Sequence, residues 1–292
     1  MEYLCNLCPR NCNSLRTETS NPNGACKMPY KLKVAKASAH YFEEPCISGT
    51  NGSGTVFFSG CSLMCEYCQN YTLSHDGFGK EITPHRLSEI FKELEFLGVH
   101  NINLVSPTHF VPLIIEALNI YRPNIPIIYN SSGYESIGTL DLLKNYIDIY
   151  LLDFKYFSSA KASVYSKAPN YPENAKNTIL KAYSNVGAPV FNSEGILTSG
   201  VIVRHLLLPS ATIEAINIID WLASQNIDIL FSLMNQYTVM PWVTDKHLKR
   251  NVTEREYLKV QNHLLSVGLK GYLQNKESAT KNYIPTFDLE GV

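Results

Sequence analysis

The chain has 292 residues, 45% of them hydrophobic and 17% charged, which suits a globular protein with a large core and excludes a mostly disordered chain. Its 25 Lys and Arg against 26 Asp and Glu leave a formal net charge of -1, so charge argues for neither nucleic acid nor an anionic membrane as partner. The opening MEYLCNLCPRNC lacks a basic stretch followed by an apolar run, and no apolar run is long enough to span a bilayer, so the expectation is a cytoplasmic protein.

From about Gly54 onward, strand-like and helix-like stretches alternate. GTVFFSG (54–60) is short, apolar and β-prone and reads as a strand. TPHRLSEIFKELEFLG (83–98) reads as a helix, with Thr83 as N-cap, Pro84 in the first turn and Gly98 closing it. Its Leu87, Ile90, Phe91, Leu94 and Leu97 fall on one face. HNINLV (100–105) is the next strand and FVPLIIEALNIY (110–121) the next helix. IPIIYN (125–130), TLDLLKN (139–145), IDIYLLDFK (147–155) and PENAKNTILKAYSNVG (172–187) continue the alternation. GVIVRHLLLP (200–209), TIEAINIIDWLASQ (212–225), IDILFSLMNQY (227–237) and the helix EREYLKVQNHLLSVG (254–268) complete it.

These stretches give six near-continuous apolar strands linked by helical crossovers, which argues for an α/β fold with a parallel sheet. An open partial barrel and a doubly wound sheet both fit, and in either one ligands bind at the C-terminal strand ends. Residues 1–53 read as loop, with Pro9, Asn21, Pro22 and Gly24 supplying turns, and the tail after Leu273 reads as a surface wrap. The expected organisation is a Cys-rich metal-binding segment at 1–53, a core at 54–240, and a C-terminal helix and tail packed on the core at 241–292.

All eight cysteines, Cys5, Cys8, Cys12, Cys26, Cys46, Cys61, Cys65 and Cys68, lie in the first quarter of the chain. In a reducing compartment such clustering points to metal rather than to disulfides. Cys61-Ser-Leu-Met-Cys65-Glu-Tyr-Cys68 directly follows the first strand. Thiolates suit zinc or iron–sulfur clusters, and both normally take four ligands, so three thiols leave one position open. The alternatives are a zinc site completed by Cys46 or His75, and three buried thiols acting as small apolar residues, against which the polar Glu66 and Gln69 count.

The loop GCSLMCEYCQN at the end of the first of six β/α units resembles the radical S-adenosylmethionine (SAM) superfamily, over roughly Gly54 to Tyr237. Within it, CNLCPRNC, EEPCISGTNGSGTVFFSGC, LLDFK and SLMNQY resemble the branch of pyruvate formate-lyase activating enzyme-like proteins. The resemblance implies a partial (β/α)6 barrel of radical SAM type with an N-terminal Cys-rich loop segment. It implies that Cys61, Cys65 and Cys68 hold a [4Fe–4S] cluster whose fourth iron is chelated by SAM. An electron from the reduced cluster then cleaves SAM to methionine and a 5'-deoxyadenosyl radical, which abstracts hydrogen from a substrate. Implied partners are SAM, a one-electron donor such as flavodoxin or ferredoxin, and a glycyl radical enzyme. Radical modification of a small molecule or peptide is an alternative, and a zinc-stabilised binding module without redox chemistry is another.

The resemblance also assigns positions. Tyr67 is expected near the adenine, or as a packing tyrosine. Ser106 and Thr108 follow the second strand, where the family contacts the SAM amino group; His109 beside them is either part of that site or a helix N-terminal residue with no role in the chemistry. Asn130 and Ser132 end the third strand, where ribose or carboxylate binds in the family, although a plain turn explains them too. Asp153 and Lys155, an acid and a base among Leu, Phe and Tyr, are the expected catalytic pair. Arg204, interrupting an apolar strand, pairs either with the SAM carboxylate or with Asp153. Met234 to Tyr237 are expected on the substrate side, and Tyr237 stands where the pyruvate formate-lyase activators tend to carry a histidine. Cys5, Cys8, Cys12 and Cys26 form a second set of four, read as a zinc site or a further iron–sulfur cluster. Cys46 is left over, either an ordinary buried thiol or one with a redox or substrate-facing role.

Overall fold

A computed structural model describes residues 3–18, 23–274 and 285–292. In chain order the strands are β1 (Tyr3–Leu4), β2 (Leu15–Arg16), β3 (Leu32–His40), β4 (Ser53–Phe58), β5 (Lys80–Ile82), β6 (Ile102–Val105), β7 (Ile127–Ser131), β8 (Ile149–Asp153), β9 (Val190–Phe191), β10 (Leu197–Leu206), β11 (Leu230–Met234) and β12 (Gly271–Leu273). The helices are α1 (Pro45–Ser48), α2 (Tyr71–Ser74), α3 (Pro84–Phe96), α4 (Val111–Ile120), α5 (Ile137–Leu143), α6 (Ser159–Ser166), α7 (Tyr171–Val186), α8 (Thr212–Ser224) and α9 (Glu254–Val267).

Strands β4, β6, β7, β8, β10 and β11 lie side by side in that order, and every neighbouring pair is parallel. At least one helix intervenes between each of them and the next. This is the expected (β/α)6 arrangement, left open: β12 extends one edge, and β3 followed by β5 extends the other.

The strands bury both faces, as a sheet covered on two sides must. Val56, Leu104, Tyr129, Leu152, Val203 and Phe231 point outward into the helical layer. That layer supplies Phe91 of α3, Ile114 of α4, Ile179 of α7 and Ile219 of α8. Residues of the opposite pleat, Ile128, Ile149, Leu151, Ile202 and Leu230, form an inner floor capped by Cys46 and Ile47 of α1.

Local signals account for the helices read from the sequence. Thr83 accepts the Arg86 amide at 3.1 Å and Pro84 opens α3. The helix stops at Phe96, so Leu97 falls past its last buried turn and stays exposed, against the expected apolar face. Thr253 and Glu256 form a capping box on α9, and Gly268 closes it at a φ of +78°.

Among the elements absent from the sequence reading are β3 and α6. Residues 1–53 are not all loop: β3 pairs antiparallel with β4, so the sheet runs across the boundary placed at 53/54. Its lysines hid it, yet Lys36 is nearly buried and is paired with Asp288 at 3.0 Å and Glu290 at 2.6 Å. The tail also binds β3 by backbone: Ala37 donates to the Glu290 carbonyl at 2.8 Å and Leu289 to that of Ala35 at 3.1 Å. Helix α6 was missed because SAKASVYS has no apolar stripe. The turn expected at Asn21 and Pro22, and residues 275–284 of the expected surface wrap, lie outside the described residues.

Candidate active site

The inner face changes character two residues above its apolar floor. Continuing up the same pleat, β7 presents Asn130, β8 Asp153, β10 Arg204 and β11 Ser232. Parallel register sets Arg204 between Asp153 and Ser232. The Arg204 guanidinium donates to Asp153 Oδ1 at 3.1 Å, to Glu43 Oε2 at 3.1 Å and to Asn130 Oδ1 at 2.6 Å. Lys155 Nζ donates to Asp153 Oδ2 at 2.6 Å, and Asn103 Nδ2 to Glu43 Oε1 at 3.1 Å.

Burial on its own would raise the Asp153 carboxyl, but the Lys155 ammonium and then the Arg204 guanidinium hold it below its ordinary value. Burial opposes the charge on Lys155 and on Arg204, and in each the Asp153 carboxylate leads the groups that keep it protonated. Beneath them Glu44 is buried, and burial raises its carboxyl even though Arg204 pulls the other way. The carboxylates of Glu43 and Asp153 are paired with the cations of Arg204 and Lys155.

The three-cysteine loop rises from the C-terminal end of β4 over this layer. Gly60 turns the chain there at a φ of +83°, and a side chain on it would collide with Met28. Cys61, Cys65 and Cys68 line one cleft together with Tyr67, Ser106, Asn130, Ser132, Asp153, Lys155 and Arg204. Ser106 holds a φ of +58°, an unfavourable conformation for a residue with a side chain and the kind of strain found at binding sites. Gly133, just after Ser132, has a φ of +71°, and a side chain there would strike the Asp153 carbonyl. Burial raises the Cys61 thiol, and pushes that of Cys68 up to about 12. Thiols held protonated in this way ionise when a metal takes them as ligands.

Other expected residues are placed differently. Thr108 is buried and donates to Glu135 Oε1 at 3.0 Å, outside the cleft. His109 donates from Nε2 to the Ser59 carbonyl at 2.6 Å, and burial lowers its pKa to about 4, so it is a neutral core histidine. Met234 and Gln236 line the cleft, whereas Tyr237 is buried with its hydroxyl on the Leu248 carbonyl at 2.6 Å. Tyr67 packs edge-on against Tyr156, Tyr165 and Tyr237 at 6.2–6.3 Å. Cys46 belongs to the apolar floor, and His75 stacks on Tyr71 at 4.0 Å.

Among Cys5, Cys8, Cys12 and Cys26, Cys12 is exposed while Cys5 and Cys26 are buried, and Arg16 Nη2 lies 3.0 Å from Cys26 Sγ. Burial pushes the Cys8 thiol up to about 12, and its three neighbouring thiols add to the rise. Among the described residues no three His, Cys, Asp or Glu converge tightly enough to hold a single metal ion. A four-iron cluster makes a different demand: its thiolates bind separate irons and need to face a common volume. Cys61, Cys65 and Cys68 meet that demand, and the mixed acid, base and amide wall facing them suits a ligand with amine and carboxylate groups. Glu43 was missed by sequence reasoning, since nothing local marks a glutamate in a loop as the partner of an arginine 161 residues away.

Comparison with known proteins decides the family. The family model of the radical SAM superfamily matches residues 55–253, from β4 to the start of α9. The chain belongs to the radical SAM superfamily. Membership implies a [4Fe–4S] cluster and SAM as cofactors. The chain is 32% identical to the Methanocaldococcus jannaschii protein MJ0674 over 166 residues, 54% of this chain and 45% of that one. It thus spans less than half the length of that relative. It is 24% identical over 184 residues to the pyruvate formate-lyase-activating enzyme of Clostridium pasteurianum, 59% of this chain and 68% of that one. Among solved structures, a radical SAM methyltransferase from Sphaerobacter thermophilus shares the fold at a TM-score of 0.54 and 12% identity, over 75% of this chain and 65% of that one. No helix among the described residues is long and apolar enough to cross a membrane.

Proposed function

We propose that Cys61, Cys65 and Cys68 hold the [4Fe–4S] cluster and that SAM occupies the cleft beside them. The observation that carries this reading is the meeting of the three thiols with Asn130, Asp153, Lys155 and Arg204 in one cleft. When bound, the cluster and SAM supply one-electron cleavage and a radical that abstracts hydrogen. The chain's own residues bind, orient and exclude water. Ser106, Asn130 and Ser132 offer polar groups to the amino, carboxylate and ribose parts of SAM. Arg204 uses three of its donors within the protein, which leaves two of the five N–H groups of a guanidinium for a carboxylate. Tyr67 gives an aromatic wall, while Asp153 and Lys155 face the reacting end as a fixed ion pair. Charges held in a preorganised layer take the place of water around the part of a ligand they meet.

The substrate reading is a glycyl residue of a partner protein, with flavodoxin or ferredoxin as electron donor. Its support is the likeness to the Clostridium pasteurianum activating enzyme.

The test is anaerobic reconstitution with iron and sulfide, then dithionite and SAM, with 5'-deoxyadenosine followed by chromatography. Wild type should form it, and Cys61→Ala, Cys65→Ala and Cys68→Ala should each lose it by at least about a hundredfold. Wild-type protein that takes up iron and sulfide but yields no 5'-deoxyadenosine sinks the reading. A glycyl radical doublet in electron paramagnetic resonance of a candidate partner tests the substrate.

A further inference from the structure

We propose that Ser166 tunes the cluster by donating a hydrogen bond to the Cys65 thiolate, with Arg10 as the positioning residue that locks the end of α6 onto the cysteine loop. The inference rests on the reading of Cys61, Cys65 and Cys68 as the cluster ligands.

Ser166 Oγ lies 3.0 Å from Cys65 Sγ, across 101 residues of sequence, and both side chains are buried. A thiolate has no proton to give, so the serine must donate. Tyr156 Oη stands 2.7 Å from Ser166 Oγ and is equally buried. The single serine proton is already committed to sulfur, so the tyrosine donates to the serine. The result is a directed chain of two hydroxyls, Tyr156 to Ser166 to Cys65, in which each bond polarises the next.

The chain is held in place from the N-terminal segment. Arg10 Nε donates to the Ser62 carbonyl at 2.8 Å, and its Nη2 to the carbonyls of Ser166 at 2.6 Å and Leu63 at 3.3 Å. Nη1 reaches the Lys167 carbonyl, just past the end of α6. One guanidinium therefore spans the cysteine loop and the helix that carries Ser166. The Glu66 amide adds a bond to the Tyr165 carbonyl at 2.9 Å.

A hydrogen bond to a cluster thiolate stabilises the reduced, more negative state and raises the reduction potential. Removing the donor must move the potential down. The measurement is a redox titration of the anaerobically reconstituted full chain, followed by electron paramagnetic resonance, with iron and sulfide counted per chain. Ser166→Ala should keep the wild-type iron content and titrate at a more negative midpoint, while Ser166→Thr restores the wild-type value. Tyr156→Phe should shift in the same direction by less. Equal midpoints for wild type and Ser166→Ala at equal iron content overturn the proposal. If Ser166→Ala retains no iron, Tyr156→Phe carries the test, and an unshifted midpoint there overturns it. Wild type that assembles no cluster removes the cysteine reading itself, and the proposal with it; the iron and sulfide counts reveal that before any potential is read.

Discussion

The apolar floor and the charged layer of the inner face are built from the same strands, one step of the pleat apart. Ile128, Leu151, Ile202 and Leu230 pack beneath α1, while Asn130, Asp153, Arg204 and Ser232 sit directly above. The floor draws stability from burying apolar area, which needs no particular partner. The layer above gains little net stability from its ion pairs, because desolvation offsets much of the attraction. On the function proposed here, its worth lies in fixing charged groups where SAM would meet them. The comparison teaches that the site is a matched set: each charge is tolerable because its neighbours are present.

The largest expected effect comes from breaking that match. Arg204→Ala leaves Glu43 and Asp153 without their shared cation in a buried layer, and should destabilise the fold by about 4 kcal/mol in urea unfolding. It should also abolish SAM binding measured by calorimetry on the remaining folded protein. Leu151→Ala, one step below, should cost about 3 kcal/mol through the cavity it leaves in the floor. Folded Leu151→Ala protein should still bind SAM with near wild-type affinity. Equal loss of binding in the two variants would erase the distinction between the layers.

The smallest effect has a sign set by pH. Burial raises the Glu44 carboxyl in the folded state, so its contribution is fully present below the unfolded carboxylate pKa. That contribution declines as pH rises through the folded value. Glu44→Gln removes the titration. The variant should match wild type in acid and be the more stable of the two at alkaline pH, read from denaturant midpoints across that range. A variant less stable than wild type at high pH would mean that Glu44 acts as a charged member of the layer.

Much of the fold was legible because its signals are local. The cap at Thr83, the capping box at Thr253, and the apolar runs of the six central strands each lie within a few residues. Within the site, the cysteine spacing and the polar strand ends at Asn130, Asp153 and Arg204 were also visible. Strand β3 was not, because Lys36 reads as solvent-facing until the tail carboxylates of Asp288 and Glu290 cover it. Thr108 looked like a cleft residue from its place after β6, but a short helical turn at Thr108–Phe110 carries it to Glu135. No spacing rule distinguishes those two outcomes.

By itself the sequence determined the order of six β/α units and a loop of three thiols at the first strand end, since periodicity, capping and short spacing are written locally. Only the tertiary structure decided that Glu43 completes the Arg204 layer, that Arg10 joins the N-terminal segment to the cysteine loop, and that Ser166 meets Cys65. Those contacts depend on strand register and on how helices settle against the sheet. Both are set by burying the whole core at once, and no local stretch of chain encodes them.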